Sequence, residues 1–130
     1  MTRQERETKY TVAVRKALSQ QGHATNAEIL AALRQEFPAL SATTVHRATA
    51  RMQARGELGI APSSKRNTLR YDAIATPHDH FLCRECDMLR DAMVSEVVRP
   101  LVESAIGGGC SISGEMIISG ICKKCHKEGL

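Results

Sequence analysis

At 130 residues the chain has room for one compact domain or two small lobes, and too little for a large enzyme with a deep cleft. With no Trp, two Tyr and two Phe, its cores must be built from Leu, Val, Ile, Ala and Met, and small lobes of that kind usually need a staple. The net charge of +4 is unevenly spread: residues 1–72 hold 12 Lys and Arg against 6 Asp and Glu (+6) and residues 73–130 hold 6 against 8 (−2), so the basic first part is the candidate partner of a polyanion.

No apolar run is long enough to span a bilayer, and the amino end, MTRQERETKY, is too polar for a signal peptide. A cytoplasmic protein with no membrane partner is expected. In that reducing compartment, cysteines at short spacing point to metal ligands rather than disulfides.

In chain order, Tyr10, Ala13, Val14, Ala17 and Leu18 recur on one helical face, which predicts a helix over roughly 4–20. Thr25 to Glu28 fits a capping box, and Leu30, Leu33 and Phe37 supply the buried stripe of a second helix. Pro38 interrupts the pattern and Ser41 can cap a third helix. The inner face of that helix is Val45, Ala48 and Met52; Thr43, Thr44, His46, Arg47 and Arg51 look outward, and Gly56 is the stop. This is a helix-turn-helix with a polar, basic second helix.

Leu58 and Ile60, then Leu69 and Tyr71, alternate as two strands joined by PSSKRN at 62–67, a wing with Lys65 and Arg66 at its tip. The plainer alternative is a solvated loop with ordinary surface charges. Residues 73–77, AIATP, read as a hinge. Beyond it Phe81 and Leu82 begin a strand, and Val94, Val97, Val98, Leu101, Val102 and Ala105 mark an amphipathic helix that Pro100 should kink or deprive of a hydrogen bond. GGG at 107–109 ends it, and SIS and EMIISGIC supply further short strands. The apolar face is wide for a 58-residue lobe, which fits a subunit interface unless it covers the lobe's own sheet.

Cys83-Arg-Glu-Cys86 and Cys122-Lys-Lys-Cys125 are two C-x2-C pairs with 35 residues between them. Two such loops can complete the closed tetrahedron of a structural Zn²⁺. A redox pair is the alternative, but that chemistry needs one C-x-x-C ahead of a helix, whereas duplication points to a clamp. Cys110, outside both pairs, reads as a small core residue. In His78-Asp79-His80, residues two apart on a strand share a face, so both imidazoles can meet one ion while Asp79 points away; a pair of surface histidines is the competing reading.

Taken together, SATTVHRATARM, RYD, HDHFLCREC, the amphipathic helix and the closing GICKKC resemble the ferric uptake regulator family over nearly the whole chain from about residue 8. The resemblance implies an α+β protein: an N-terminal winged helix-turn-helix DNA-binding domain over 1–72, the hinge at 73–77, and a small α/β dimerisation and metal-binding domain over 78–130 with a four-cysteine structural zinc site. It also implies a sensing site. By placement His23, Asp72, His78, His80 and Asp91 are similar to the five ligands of the peroxide-stress branch, with Asp91 where iron-sensing relatives tend to have Glu. Three imidazoles and two carboxylates suit Fe²⁺ or Mn²⁺, and Zn²⁺ also binds such a set.

The implied function is a homodimeric, metal-dependent repressor that binds a double-stranded DNA operator and is not an enzyme; peroxide would inactivate it by oxidising His23 or His78. DNA contacts are expected from Thr43, Thr44, His46, Arg47, Arg51, Lys65 and Arg66. Two departures stand out: His46 replaces a common Tyr, and Thr11 replaces an Arg that commonly helps hold DNA. The late histidine of an extra family site is absent, leaving Asp79 without that site's partners. The alternatives are an iron- or zinc-supply sensor of the same family, a zinc-ribbon interaction module, and a metallohydrolase using His78, Asp79 and His80, which lacks a cleft and a general base.

Overall fold

The computed structural model describes residues 8–65 and 68–129, the last three by backbone alone. Arg66 and the expected helical start at 4–7 lie outside the described residues. The chain divides into two units, one of residues 8–61 and 68–76 and the other of 62–65 and 77–129. No helix among the described residues is long and apolar enough to cross a membrane.

The first unit runs α1 (Lys9–Gln21), β1 (His23–Thr25), α2 (Asn26–Leu33), α3 (Ala42–Ala54), β2 (Gly59–Ala61) and β3 (Arg70–Asp72). Its helix starts follow the expected chemistry: Thr8 caps α1, Thr25 and Glu28 form a complete capping box on α2, and the Ser41 hydroxyl accepts the Thr44 N–H at the start of α3. Gly22, at φ +80°, lets the chain leave α1 and enter β1 at once. The strands form an antiparallel sheet in the order β1-β3-β2.

The core joins Val14 and Leu18 of α1, Ile29 and Leu33 of α2, Val45 and Met52 of α3, with Leu58 and Tyr71. One expectation changes here. The buried stripe of α2 is Ile29 and Leu33; Leu30, on the adjoining face, is only partly buried, and so is Phe37, which lies beyond the helix end at Leu33. Thr11, which stands where an Arg is common, is buried, with its N–H tied to Thr8 Oγ1 at 3.1 Å. Ile29 is fully buried, so Ile29→Ala is expected to cost about 2–5 kcal/mol, and Leu30→Ala distinctly less. Equal shifts of the two chemical denaturation midpoints would contradict this packing.

The second unit contains β4 (His80–Cys83), β5 (Leu89–Asp91), α4 (Ser95–Ile106), β6 (Ile117–Gly120) and α5 (Lys123–Gly129). The sheet order is β5-β4-β6, with β4 antiparallel to β5 and parallel to β6. A parallel pair needs a long crossover, and α4 lies within it. Gly120 is required where the Phe81 ring lies over it: an added Cβ would sit 2.9 Å from Phe81 Cε2.

Several readings of this region are corrected. SIS at 111–113 is not a strand; β5 and α5 are elements the periodicity did not reveal. Cys110 is exposed in the loop after the glycines, not a core residue. Helix α4 continues through Pro100, whose ring removes the bond to the Glu96 carbonyl at an exposed position where water can take it. No residue of α4 is buried: Val98, Val102 and the N-cap Val94 are half-buried, and Val97 is 71% and Leu101 68% exposed, so part of this apolar face is left uncovered by the unit's own sheet. Asp87, at φ +67°, turns the loop after Cys86 and accepts hydrogen bonds from the Ser63 hydroxyl (2.9 Å) and the Ser64 N–H (2.6 Å), holding segment 62–65 to the same unit.

Candidate metal centres and nucleic-acid interface

Cys83 ends β4 and Cys86 follows in the turn toward β5, while Cys122 and Cys125 lie between β6 and the first turn of α5. Parallel pairing sets Cys83 opposite Gly120, two residues before Cys122, and so closes the square. The four sulfurs lie within 4.8 Å of one another, and Cys86 Sγ is 3.7 Å from Cys122 Sγ. Sulfurs about 2.3 Å from one tetrahedral Zn²⁺ would stand about 3.8 Å apart, so the spacing fits such an ion. The second C-x-x-C does precede a helix, the feature that sequence reasoning reserved for redox pairs, yet its sulfurs face the other pair.

The electrostatics point the same way. Backbone N–H groups of Cys86 and Cys122 pull the Cys83 thiol down to about 6, whereas burial and the neighbouring thiols, Cys122 foremost, push Cys125 up. One thiolate forms readily; four packed this closely need a cation among them.

The histidines and aspartates fall into two groups, one in each unit. In the first unit His23 is the register partner of Asp72, and its Nε2 lies 3.5 Å from Asp72 Oδ2. Strand β1, too short to show alternation, is what sets that pairing, and the Ile74 N–H holds the carboxylate through Oδ1 at 2.9 Å. In the second unit His80 pairs with Asp91 across β4 and β5. Both His78 Nε2 (3.1 Å) and His80 Nε2 (3.4 Å) aim at Asp91 Oδ1, with the rings 4.3 Å apart. His80 is fully buried, and its Nδ1 faces Glu115 Oε2 at 3.7 Å.

Asp79 points the other way, as alternation demands. It accepts from the Ser95 hydroxyl, from the Met116 N–H at 2.8 Å and from Arg99 at 3.2 Å, and these bonds, led by Ser95, hold its carboxyl below the ordinary carboxylate range. Glu115 and Arg99 had no signal in the sequence, since neither belongs to a motif and both act through chain reversals.

On α3, Thr43, His46, Arg47 and Arg51 are exposed, as is Lys65 in the 62–65 segment. Thr44 is half-buried and engaged in the cap, its hydroxyl 2.9 Å from Ser41 Oγ. Arg47 and Arg51 share a surface hollow with Thr8 and Tyr10. His46 Nδ1 lies 3.2 Å from Asn26 Nδ2, and the Thr49 hydroxyl holds Asn26 Oδ1 at 2.8 Å. Asn26 thus ties the start of α2 to the outward histidine, a role that its place in the capping sequence concealed.

The sequence profile of the ferric uptake regulator family matches residues 3–113. No curated protein matches the chain. Among solved structures it is similar to the Helicobacter pylori ferric uptake regulator, at 23% identity and TM-score 0.74 over 93% of this chain and 82% of that one. It is similar also to the Campylobacter jejuni peroxide stress regulator, at 22% identity and TM-score 0.65 over 88% and 87% of the two chains. A zinc uptake regulator complexed with zinc and DNA matches at 19% identity and TM-score 0.58, over 98% of this chain and 87% of that one. At these identities the likeness is one of fold.

Proposed function

The chain belongs to the ferric uptake regulator family, and from that premise we propose that it is a homodimeric, metal-dependent repressor that binds a double-stranded DNA operator and responds to peroxide. The observation that carries this reading is the pair of half-sites: a carboxylate beside an imidazole in the first unit, and a carboxylate beside two imidazoles in the second. His23 and Asp72 with His78, His80 and Asp91 would hold one Fe²⁺ or Mn²⁺, the two acids balancing its charge. Cys83, Cys86, Cys122 and Cys125 would hold a structural Zn²⁺.

An ion shared by donors on either side of residues 73–77 would select the conformers in which the two helices α3 of a dimer suit successive major-groove faces. The exposed apolar face of α4 is the surface we assign to the second copy of the chain. Thr43, Thr44, His46, Arg47, Arg51, Lys65 and Arg66 would face DNA. Of these Arg47, exposed and mid-helix, is best placed for guanine or phosphate. Arg47→Ala is expected to cost about 1–3 kcal/mol at a guanine, or to reduce the salt slope of binding by about 1 if it meets a phosphate. Unchanged affinity and slope would remove it from the interface.

Elemental analysis of purified protein, paired with DNA binding in Mn²⁺, Fe²⁺ and Zn²⁺, tests the whole reading. About one retained Zn per chain and a second, exchangeable ion that switches on DNA binding are expected from the two donor chemistries. DNA binding indifferent to chelation would overturn it. The peroxide response is separable from supply sensing: Fe²⁺ held by these residues would supply the electrons that cleave peroxide, and peptide masses should then show an added oxygen on His23 or His78 together with lost DNA binding. Unchanged masses with DNA binding retained favour a sensor of iron or zinc supply.

A further inference from the structure

Arg99 sits in a cage of oxygens. Its guanidinium donates to Asp79 Oδ1 (3.2 Å), the Ser95 hydroxyl (3.0 Å), the Gly114 carbonyl (2.9 Å) and the Ile112 carbonyl (3.3 Å). A carboxylate, a hydroxyl and two carbonyls are the donor set a hard cation takes, here filled by a cation the chain carries itself. The Asp79 side chain is 1% exposed and that of Arg99 21%, so the pair is largely removed from water, where loss of one partner is felt strongly.

What this cation holds is the backbone that spaces the proposed regulatory ligands. Asp79 lies between His78 and His80; its carbonyl accepts the Ala92 N–H at 2.9 Å, next to Asp91, and its carboxylate accepts the Met116 N–H. The His80 N–H in turn donates to the Met116 carbonyl at 3.0 Å, and Glu115, which faces His80 Nδ1, lies between the Gly114 carbonyl held by Arg99 and Met116. One guanidinium therefore fixes Asp79 from one side and segment 112–116 from the other, and through them the positions of both imidazoles. Its own anchor is α4, the helix with the exposed apolar face.

We infer that Arg99 is a positioning residue for the exchangeable ion, a built-in cation that presets His78, His80 and Asp91 and links their spacing to helix α4. The inference rests on the reading that those three residues hold the ion. Lys at this position keeps the charge but not the fork that reaches four oxygens in different directions.

The test uses the full-length protein with its Zn²⁺, titrated with Mn²⁺ against a competing chelator. Arg99→Lys and Arg99→Ala are expected to weaken Mn²⁺ binding roughly tenfold to a hundredfold, the range for partners that orient metal ligands, with retained Zn unchanged. Added guanidinium ion, at concentrations too low to denature, should restore the affinity of Arg99→Ala by refilling the cage. A role confined to stabilising the fold predicts the opposite response to a denaturant. If Arg99→Ala fails to fold, Arg99→Lys alone carries the comparison. Wild-type Mn²⁺ affinity in folded variants overturns the inference while leaving the metal reading intact, whereas a wild-type protein that takes up no second ion overturns both.

Discussion

Cys83→Ser is expected to empty the four-sulfur site and unfold the second unit while the first stays folded. The contiguous buried apolar core among the described residues lies in the first unit. Among the described residues, the buried apolar side chains of the second are Leu82, Cys83 and Cys122, two of them proposed ligands. Within one chain, so little apolar burial does not offset the ordering of some fifty residues, at about 1–2 kcal/mol of backbone entropy each, and a second copy packed on α4 would add to it without reaching the four-sulfur loops. A structural Zn²⁺ contributes about 10–16 kcal/mol of apparent binding free energy in small zinc-dependent folds, and there binding is folding. Cys83 is also the sulfur whose thiolate the backbone prepares, with the Cys122 N–H donating to it at 3.4 Å. Elemental analysis should fall from about one Zn per chain to nearly none, with hydrogen-exchange protection lost from β4, β5 and β6 and kept in α1 and α3. Cys110→Ser, at an exposed position outside the quartet, should change neither quantity. Full zinc content in the Cys83 variant would show that the quartet does not hold the metal.

How far these features can be read from sequence depends on the range of the interaction that creates them. Local chemistry was legible: the capping box at Thr25, the Ser41 cap and the Gly56 stop each arise from groups within a few residues, and the structure has all three. The C-x2-C pairs were legible because ligand geometry forces short spacing on each half of the site, and the spacing survives without knowledge of the fold. What failed was whatever depends on a distant partner. Strand β1 is three residues long and exists because β3 pairs with it, so no alternation could announce it. Cys110 reads as apolar by composition but sits in an exposed loop after the glycines at 107–109. Asp79 was read as pointing away from the histidine pair, with no partner in sight, although the same alternation delivers it to Arg99, twenty positions on. Ile29 and Leu30 are adjacent and equally apolar, and only the crossing of α2 over its neighbours decides which one is buried.

His78→Ala is expected to abolish metal-switched DNA binding with the Zn²⁺ site intact. It is a cleaner probe than His80, which is fully buried and would leave a cavity in the sheet. Both Nε2 atoms face one oxygen of Asp91, so the two rings and the carboxylate converge on the place a shared ion would take. Removing His78 leaves His80 and Asp91 as the second unit's contribution. A hundredfold loss of Mn²⁺ affinity is about 2.7 kcal/mol, half of the roughly 5.5 kcal/mol of differential binding that takes a two-state equilibrium from one extreme to the other. At a metal concentration that saturates the wild type, the variant should therefore remain in its DNA-incompetent conformers. Two outcomes separate affinity from coupling: if a hundredfold more Mn²⁺ restores DNA binding, His78 contributes affinity alone; if the ion binds and DNA binding does not return, the imidazole also carries the preference for the competent state. His46→Ala supplies the contrast, since it should weaken DNA binding at every metal concentration without altering Mn²⁺ uptake. Metal-switched binding that persists in His78→Ala, at wild-type Mn²⁺ concentration, would mean that the ion is held elsewhere.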